Sequence, residues 1–241
     1  MSRHRLIVGR DEYDEIYAVG DVHGHLDLLL GAEERMRESS AEHGRKLIIM
    51  LGDYIDRGPH SYGVIEHLIA APPAGFDRIC LTGNHEAIML AFLAGIEGNG
   101  AWLQWGGTET VASYGVDPYK YLDMDGTGHA LRTVLNDVLP QSHLDFMSSL
   151  PICVSSAPYL FTHAGVVPGK PLAEQADEDL FWIREPFLTL GPQLPGLTVV
   201  HGHTPSLEPT FAEGRIGIDT GAYKTGRLTV LKIAGEEAEI I

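Results

Sequence analysis

The stretch LIIMLGDYIDRG, residues 47–58, joins an apolar run directly to a loop with two aspartates and an arginine. An unbroken apolar run of this length is typical of a strand that is buried on both faces. Because an isolated buried carboxylate is costly, Asp53 and Asp56 form either a solvated turn or part of a site in which partners compensate their charge. The rest of the chain favours the second interpretation.

The order of strand, polar loop and helix occurs three times within residues 16–96. Apolar runs at 16–19, 46–51 and 78–82 lead into GDVHGH, GDYIDRGP and GNHE, and helical patterns follow at 26–38, 61–70 and 86–96. This alternation predicts parallel strands with right-handed crossovers, whose loops emerge at one edge of the sheet. We therefore expect the polar residues of these loops to converge: Asp21, His23, Asp53, Asp56, Asn84 and His85.

The second half of the chain has a different pattern. A segment at about 97–140, rich at its start in glycine and aromatic residues, predicts a cover of loops and short helices beside the site, and a helical pattern runs over 131–150. Within the cover, Trp102 and Trp105 are interpreted as packing anchors rather than platforms for substrate stacking. Short β-type runs predict a second, more antiparallel sheet, at 152–154, 159–162, 197–200, 216–218 and 228–233.

Composition limits the classes of function. The chain has 241 residues and a formal net charge of −16, which argues against a nucleic-acid groove. Its longest apolar stretch, 87–96, is shorter than the roughly 20 residues that span a bilayer. The start of the chain lacks the apolar core of a secretory signal, so we expect one cytoplasmic domain over 1–241. Cys80 and Cys153 lie in apolar runs and are predicted to be buried free thiols.

The polar loops carry the donor types that two divalent cations prefer. Two further strand ends, in FTHAG and VVHGHT, add histidines to the carboxylates and the amide of the first half. Oxygen and imidazole donors without a thiolate favour Mn, with Fe, Zn, Co or Ni as alternatives, over Ca. The predicted metal ligands are Asp21, His23, Asp53, Asn84, His163 and His203.

The motifs GDVHG, GDYIDRG, GNHE, HAG and HGHT, in this order from Gly20 to Thr204, resemble the phosphoprotein phosphatase family of the calcineurin-like metallophosphoesterases, especially its bacterial and phage branch. The resemblance implies an α/β fold in which two mixed β-sheets form a sandwich flanked by helices, with a dinuclear metal centre at the strand ends. It also implies a metal assignment: Asp21, His23 and His203 on one ion, Asn84 and His163 on the other, and Asp53 on both. Two such ions would make the site cationic in an acidic protein.

The resemblance further implies hydrolysis by a hydroxide that bridges the two metals and attacks phosphorus in line. His85, next to a predicted ligand, would donate a proton to the leaving alkoxide, and Asp56 would orient it. Arg57 would bind phosphoryl oxygens. Arg184 matches a second phosphate-binding arginine, with a surface ion pair to Glu185 as the alternative.

The leading hypothesis is a monomeric serine/threonine protein phosphatase that acts on phosphorylated proteins or peptides, without a nucleic-acid or membrane partner. One alternative is a symmetrical diadenosine tetraphosphate hydrolase, and another is a catalytically silent scaffold that retains the metals. His25 and His201 flank predicted ligands, and we expect neither to bind a metal directly. Asp219 and Tyr223, at another strand end, are candidates for the pocket wall.

Overall fold

The computed structural model describes residues 3–96, 99–121 and 128–241. The strands are β1 (Arg5–Ile7), β2 (Glu15–Val19), β3 (Lys46–Met50), β4 (Phe76–Cys80), β5 (Cys153–Ser156), β6 (Tyr159–Thr162), β7 (Thr198–His201), β8 (Thr210–Ala212), β9 (Arg215–Gly217), β10 (Val230–Ala234) and β11 (Glu237–Ile240). The α-helices are α1 (Leu26–Ser39), α2 (Ser61–Ile69), α3 (Asn84–Leu93), α4 (Gly107–Ser113), α5 (His129–Val138), α6 (Gln141–Ser149), α7 (Asp177–Trp182), α8 (Phe187–Leu190) and α9 (Ala222–Thr225). Short 3-10 helices span Asn99–Trp105, Pro118–Lys120 and Leu172–Glu174.

The first sheet has the strand order β11-β10-β2-β3-β4. Strands β2, β3 and β4 are parallel, which confirms the prediction from the three repeated units. Their last residues are in register, Val19 opposite Met50 and Met50 opposite Cys80. The three polar loops therefore begin at the same level of the sheet.

The second sheet has the order β1-β5-β6-β7-β9-β8 and is mixed. Strand β6 pairs in parallel with β7, and β7 with β9, whereas β5–β6 and β8–β9 are antiparallel. The second sheet was expected to be the more antiparallel one, and this was wrong: among the described residues, three of its five strand pairs are parallel, β1–β5 included. The run at 228–233 overlaps β10, which joins the first sheet antiparallel to β2. Strand pairing depends on packing against residues that are distant in the sequence, which a local pattern does not show.

The alternation of side chains along β3 explains the layers. Leu47 and Ile49 belong to the apolar cluster between the sheets, together with Phe161 of β6. Ile48 and Met50 belong to the cluster beneath the helices. A strand with a layer on each side is apolar throughout, as the sequence indicates. Two mixed sheets with helices on the outside are the fold class that was predicted.

The helical pattern at 131–150 was predicted as one helix and is two, α5 and α6. Pro140 separates them, because proline has no N–H to donate and its ring restricts the preceding residue to extended backbone. Residues 97–98 and 122–127 of the expected cover lie outside the described residues. Within the described ranges, none of the helices has the length and apolar character needed to cross a bilayer. Cys80 and Cys153 are free and buried, as predicted.

Candidate metal centre

The six predicted metal ligands all lie at strand ends and are buried. Asp21 and His23 follow β2, Asp53 follows β3, and Asn84 opens α3 directly after β4. The other two come from the second sheet, His163 after β6 and His203 after β7. The structure thus brings six side chains, spread from position 21 to position 203 of the sequence, to one end of the sandwich.

Asp53 occupies the middle of the cluster. Its Oδ2 atom lies 3.4 Å from Nε2 of His163, 3.7 Å from Nε2 of His23 and 3.8 Å from Nε2 of His85. Two groups of donor atoms share this carboxylate, one with His23 and His85 and the other with His163 and His203. A carboxylate common to two donor groups has the position of a bridging ligand between two cations.

Asn84 organises the second group. Its Oδ1 atom lies 2.9 Å from Nε2 of His163 and 2.9 Å from Nδ1 of His203. The side chain of His203 therefore lies with Asn84 and His163, and not with Asp21 and His23 as the sequence assignment had it. The backbone of His203 contacts Asp21, whose carboxylate accepts its N–H at 3.1 Å.

The donor set fits divalent cations. Nε2 of His203 is buried without a hydrogen-bond partner among the described residues, so a polar atom in this cluster is left unsatisfied. Burial lowers the pKa of His203 to about 3, so this imidazole is neutral and able to ligate. Buried oxygens and neutral imidazoles without a thiolate suit Mn, Fe, Zn, Co or Ni.

The charge balance of the cluster points the same way. Burial alone would lower the pKa of His163, but the carboxylates of Asp53, Asp21 and Glu86 together outweigh it, and the pKa rises to about 10. Burial and the nearby Asp219 raise the pKa of Asp21. The carboxylates around His163 thus favour a positive charge at this position, which bound cations would supply in its place.

The backbone of the ligand loops is strained. Among the described ranges, six non-glycine residues have positive φ, and all but Gln193 lie in these loops: His23 (45°), Asp53 (53°), Asp56 (72°), Arg57 (68°) and His203 (65°). Left-handed backbone is unfavourable for residues with a Cβ and persists where surrounding contacts enforce it. Because left-handed residues cluster in the ligand loops, we infer that the positions of the ligand side chains are what this strained backbone maintains.

Gly52 shows why glycine precedes Asp53. Its φ is 107°, and a Cβ atom at this position would lie 2.6 Å from the backbone nitrogen of Gly83 and 3.0 Å from Nδ1 of His163. Any side chain at position 52 would push the loop after β3 away from the loop after β4 and from the second sheet.

Glu86 ties two of the ligand loops together. Its buried carboxylate accepts the N–H of Gly83 at 2.9 Å within its own loop. It also accepts the N–H groups of Asp53 at 3.0 Å and Tyr54 at 2.7 Å. This second set of bonds, which sequence spacing does not reveal, fixes Asp53 relative to Asn84.

His85 and Asp56 form the expected pair. Nδ1 of His85 lies 2.5 Å from Oδ2 of Asp56, and Nε2 of His85 faces the cluster. Burial would lower the pKa of His85, but the carboxylates of Asp53 and Asp56 raise it. The same carboxylate of Asp56 accepts Trp102 Nε1–H at 2.8 Å and the Thr110 hydroxyl at 2.6 Å. Trp102 is a fully buried packing residue, as predicted, but its hydrogen bond was missed.

Arg57 lies over the donor cluster. Its guanidinium donates to Nε2 of His23 at 2.9 Å and to Nε2 of His85 at 3.2 Å. The ring of Tyr223 lies 4.3 Å from Cζ of Arg57 and 5.4 Å from the ring of His23. Tyr223 is therefore part of the site wall and holds the guanidinium by a cation–π contact.

Arg184 is exposed. Burial is the main cause that lowers the pKa of His203, and the charge of Arg184 adds to it, which places the guanidinium near this predicted ligand. Among the described residues, no ion pair joins Arg184 to Glu185, the alternative that the sequence left open.

Three more polar residues border the centre. His25 Nδ1 lies 2.6 Å from the carbonyl of His23, and His201 Nδ1 lies 3.1 Å from the carbonyl of Gly202. Neither histidine joins the two donor groups formed by described residues. Asp219 is buried and accepts the N–H of Gly221 at 2.8 Å.

Comparison with known proteins agrees with this geometry. The profile of the calcineurin-like phosphoesterases matches residues 15–231. The chain is 29% identical to serine/threonine-protein phosphatase 2 of Escherichia coli (strain K12), over 94% of this chain and 96% of that relative. It is 26% identical to an asymmetrical bis(5'-nucleosyl)-tetraphosphatase of Bacillus cereus (strain 03BB102), over 89% of this chain and 88% of that relative.

A solved structure shares the fold. The crystal structure of a cold-active protein-tyrosine phosphatase from a psychrophilic Shewanella has a TM-score of 0.64 and 16% identity, with 99% of this chain and 80% of that chain covered. The match of the profile spans most of the chain and includes every predicted ligand. The chain belongs to the calcineurin-like phosphoesterase family.

Proposed function

We propose that this chain is a metal-dependent phosphomonoesterase that dephosphorylates phosphoserine and phosphothreonine in proteins or peptides. The observation that carries the proposal is the His85–Asp56 pair beside the donor cluster, with His85 Nε2 only 3.8 Å from Oδ2 of the shared carboxylate of Asp53. The alkoxide that leaves serine or threonine has a high pKa and needs a proton. A buried histidine with a carboxylate partner, placed at the cluster, is suited to donate it.

The proposed ligands divide as the donor groups do. Asp21 and His23 would hold one cation, Asn84, His163 and His203 the other, and Asp53 both. Bound divalent cations, which we propose to be Mn, supply Lewis-acid charge that activates solvent and neutralises the phosphoryl oxygens. No described cysteine is placed as a nucleophile, because Cys80 and Cys153 are buried in strands.

The protein side chains supply orientation and the proton. His85 would donate from Nε2, while Asp56 holds Nδ1 and fixes the tautomer. Arg57 would turn its guanidinium from the imidazoles to two phosphoryl oxygens. Arg184, exposed near His203, would contact the phosphoryl group or the residues that flank it.

A second candidate is hydrolysis of dinucleoside polyphosphates such as diadenosine tetraphosphate. The Bacillus cereus relative favours it, since its name describes a bis(5'-nucleosyl)-tetraphosphatase. The His85–Asp56 pair favours the monoester. A phosphate that leaves an anhydride is a weak base, so it needs a general acid less than a leaving alkoxide does.

The deciding experiment compares kcat/KM of the Mn-loaded protein on a phosphoserine peptide and on diadenosine tetraphosphate. We expect a higher value on the peptide, and the same protein should elute as a monomer in gel filtration. A higher value on the dinucleotide would replace the proposal by the second candidate. Bound metal without turnover of either substrate would instead indicate a silent scaffold.

A further inference from the structure

The carboxylate of Asp56 is held by more than its histidine partner. It is fully buried and accepts three side-chain hydrogen bonds. Oδ2 accepts from His85 Nδ1 at 2.5 Å and from Trp102 Nε1 at 2.8 Å, and Oδ1 accepts from Thr110 Oγ1 at 2.6 Å. With a donor on each oxygen, the plane of the carboxylate cannot rotate without breaking a bond.

The Thr110 hydroxyl gives its proton to Asp56 Oδ1, because a carboxylate oxygen accepts and cannot donate. Its oxygen lies 2.8 Å from the backbone N–H of Asp56, which donates to it, and 3.0 Å from Oγ of Ser61. Since the Thr110 proton goes to Asp56 Oδ1, Ser61 is the donor in the contact between the two hydroxyls. Thr110 therefore fixes both the backbone and the side chain of Asp56, whose φ of 72° is strained.

Trp102 and Thr110 belong to one segment of the chain, residues 99–113, which packs on the turn that contains Asp56. The carbonyl of Gly106 accepts the N–H of Arg57 at 3.1 Å. Gly106 has a φ of 106°, and a Cβ there would lie 2.6 Å from the nitrogen of Arg57. The close approach brings Trp102 and Thr110 within reach of a carboxylate that precedes them by 46 and 54 residues.

We propose that Trp102 and Thr110 are positioning residues for the proton donor. They fix the Asp56 carboxylate, and through it they orient the ring of His85 so that Nε2 points at the leaving oxygen. The inference rests on the proposed function for its kinetic consequence. It gives the segment 99–113, which was predicted to cover the site, a role in orienting the proton donor.

The kinetic test uses two esters that differ in their need for an acid. Trp102→Phe removes the indole N–H, and Thr110→Val removes the hydroxyl. Thr110→Val keeps the shape of the side chain, whereas Trp102→Phe also shrinks a fully buried one, so the threonine variant is the stricter test. Each should lower kcat on a phosphoserine peptide by about tenfold, the value of one hydrogen bond to a charged group. On p-nitrophenyl phosphate, whose leaving group needs no proton, kcat should change less than about twofold. KM should stay the same for both esters.

Two matched variants serve as controls. Thr108→Val makes the same substitution in the same helix, but the Thr108 hydroxyl donates to Glu109 and not to Asp56. It should leave both rates unchanged. Thr110→Ser keeps the hydroxyl and should retain the rate on the peptide. Equal losses on the two esters in Thr110→Val would show a general structural effect and overturn the inference.

A double-mutant cycle tests whether the effect passes through His85. In the His85→Asn background, Trp102→Phe and Thr110→Val should cause no further loss on the peptide, because the acid that they orient is gone. A further loss as large as in the wild-type background would overturn the inference.

A spectroscopic measurement separates this inference from the proposed function. If the wild-type chain hydrolyses neither ester, the proposed function fails, but the hydrogen bond from His85 to Asp56 can still be followed by the NMR resonance of the Nδ1 proton. We expect this resonance to move in Trp102→Phe and Thr110→Val and to stay in Thr108→Val. If Trp102→Phe and Thr110→Val fold and their Nδ1 resonance does not move, the positioning role is overturned. Should Trp102→Phe fail to fold, the three threonine variants decide alone.

Discussion

The carboxylate of Glu86 lies 2.7 Å from the backbone nitrogen of Tyr54, although the two residues belong to different loops. The same side chain accepts the N–H groups of Asp53 and Gly83. One acidic side chain, fully buried, thus serves as the acceptor for two loops that each carry a predicted metal ligand. Neither loop can move relative to the other without leaving a buried N–H unsatisfied.

Glu86→Gln should therefore destabilise the protein. A glutamine amide has one acceptor oxygen, and its NH2 group would face backbone donors in place of the second carboxylate oxygen. We expect the free energy of unfolding to fall by about 1–3 kcal/mol, as when a buried donor loses its acceptor, measured by urea denaturation. Glu34→Gln, at an exposed position on α1, should have no measurable effect. Equal stability of the two variants would contradict the role of Glu86.

Asp53→Asn tests the shared carboxylate. Because Asp53 contributes to both donor groups, removing its charge should reduce the bound metal from two equivalents per chain to less than one. The metal content is measured by plasma mass spectrometry after gel filtration. Asp145→Asn, the same change at an exposed site on α6, should retain both equivalents. Full metal content in Asp53→Asn would contradict a bridging role.

Asp56→Asn should change the pH dependence of catalysis. The acid acts only when protonated, and the carboxylates of Asp53 and Asp56 raise the pKa of His85 against the effect of burial. A raised pKa keeps the acid active to higher pH, so removing the Asp56 charge should move the alkaline limb of kcat to lower pH. The profile is recorded on a phosphoserine peptide with the Mn-loaded protein. An alkaline limb that stays in place, or moves upward, would contradict the pairing.

The cysteines should be inert in the folded chain. Burial raises the pKa of Cys80 to about 12 and that of Cys153 to about 11. At pH 8, at most about one thiol in a thousand is then a thiolate, the form that reacts. We expect no fast reaction with a chromogenic disulfide reagent until guanidinium is added, when both thiols of each chain should react. Fast labelling under native conditions would show that a thiol is exposed.

Local patterns were enough to predict the core of the fold. The units around Asp21, Asp53 and Asn84 were predicted because each strand, loop and helix lies within about thirty residues and has its own periodicity. Parallel pairing then places the loops at one edge, and the register of Val19, Met50 and Cys80 agrees. Short β-type runs predicted a second sheet, and the motifs at two of their ends added the histidines that it contributes.

Other features could not be predicted because their causes are not local. Strands β1, β8 and β11 lie at sheet edges and have side chains that are exposed or only half-buried, so they show no long apolar run. Strand β10 pairs with β2, whose residues lie more than 200 positions earlier in the sequence. The bonds of Glu86 to Tyr54 and of Trp102 and Thr110 to Asp56 depend on how loops pack in space. The division of the pattern at 131–150 into α5 and α6 does have a local signal, which is Pro140.

Asp53 and His163 come from opposite layers of the sandwich, yet their donor atoms are 3.4 Å apart. A cation bound by both residues would cross-link the two sheets at this end of the molecule. Shear of one layer over the other would then have to break coordination bonds first. When a chelator removes the metal, amide hydrogen exchange should accordingly become faster at the carboxyl ends of β3 and β6 than at the beginnings of these strands.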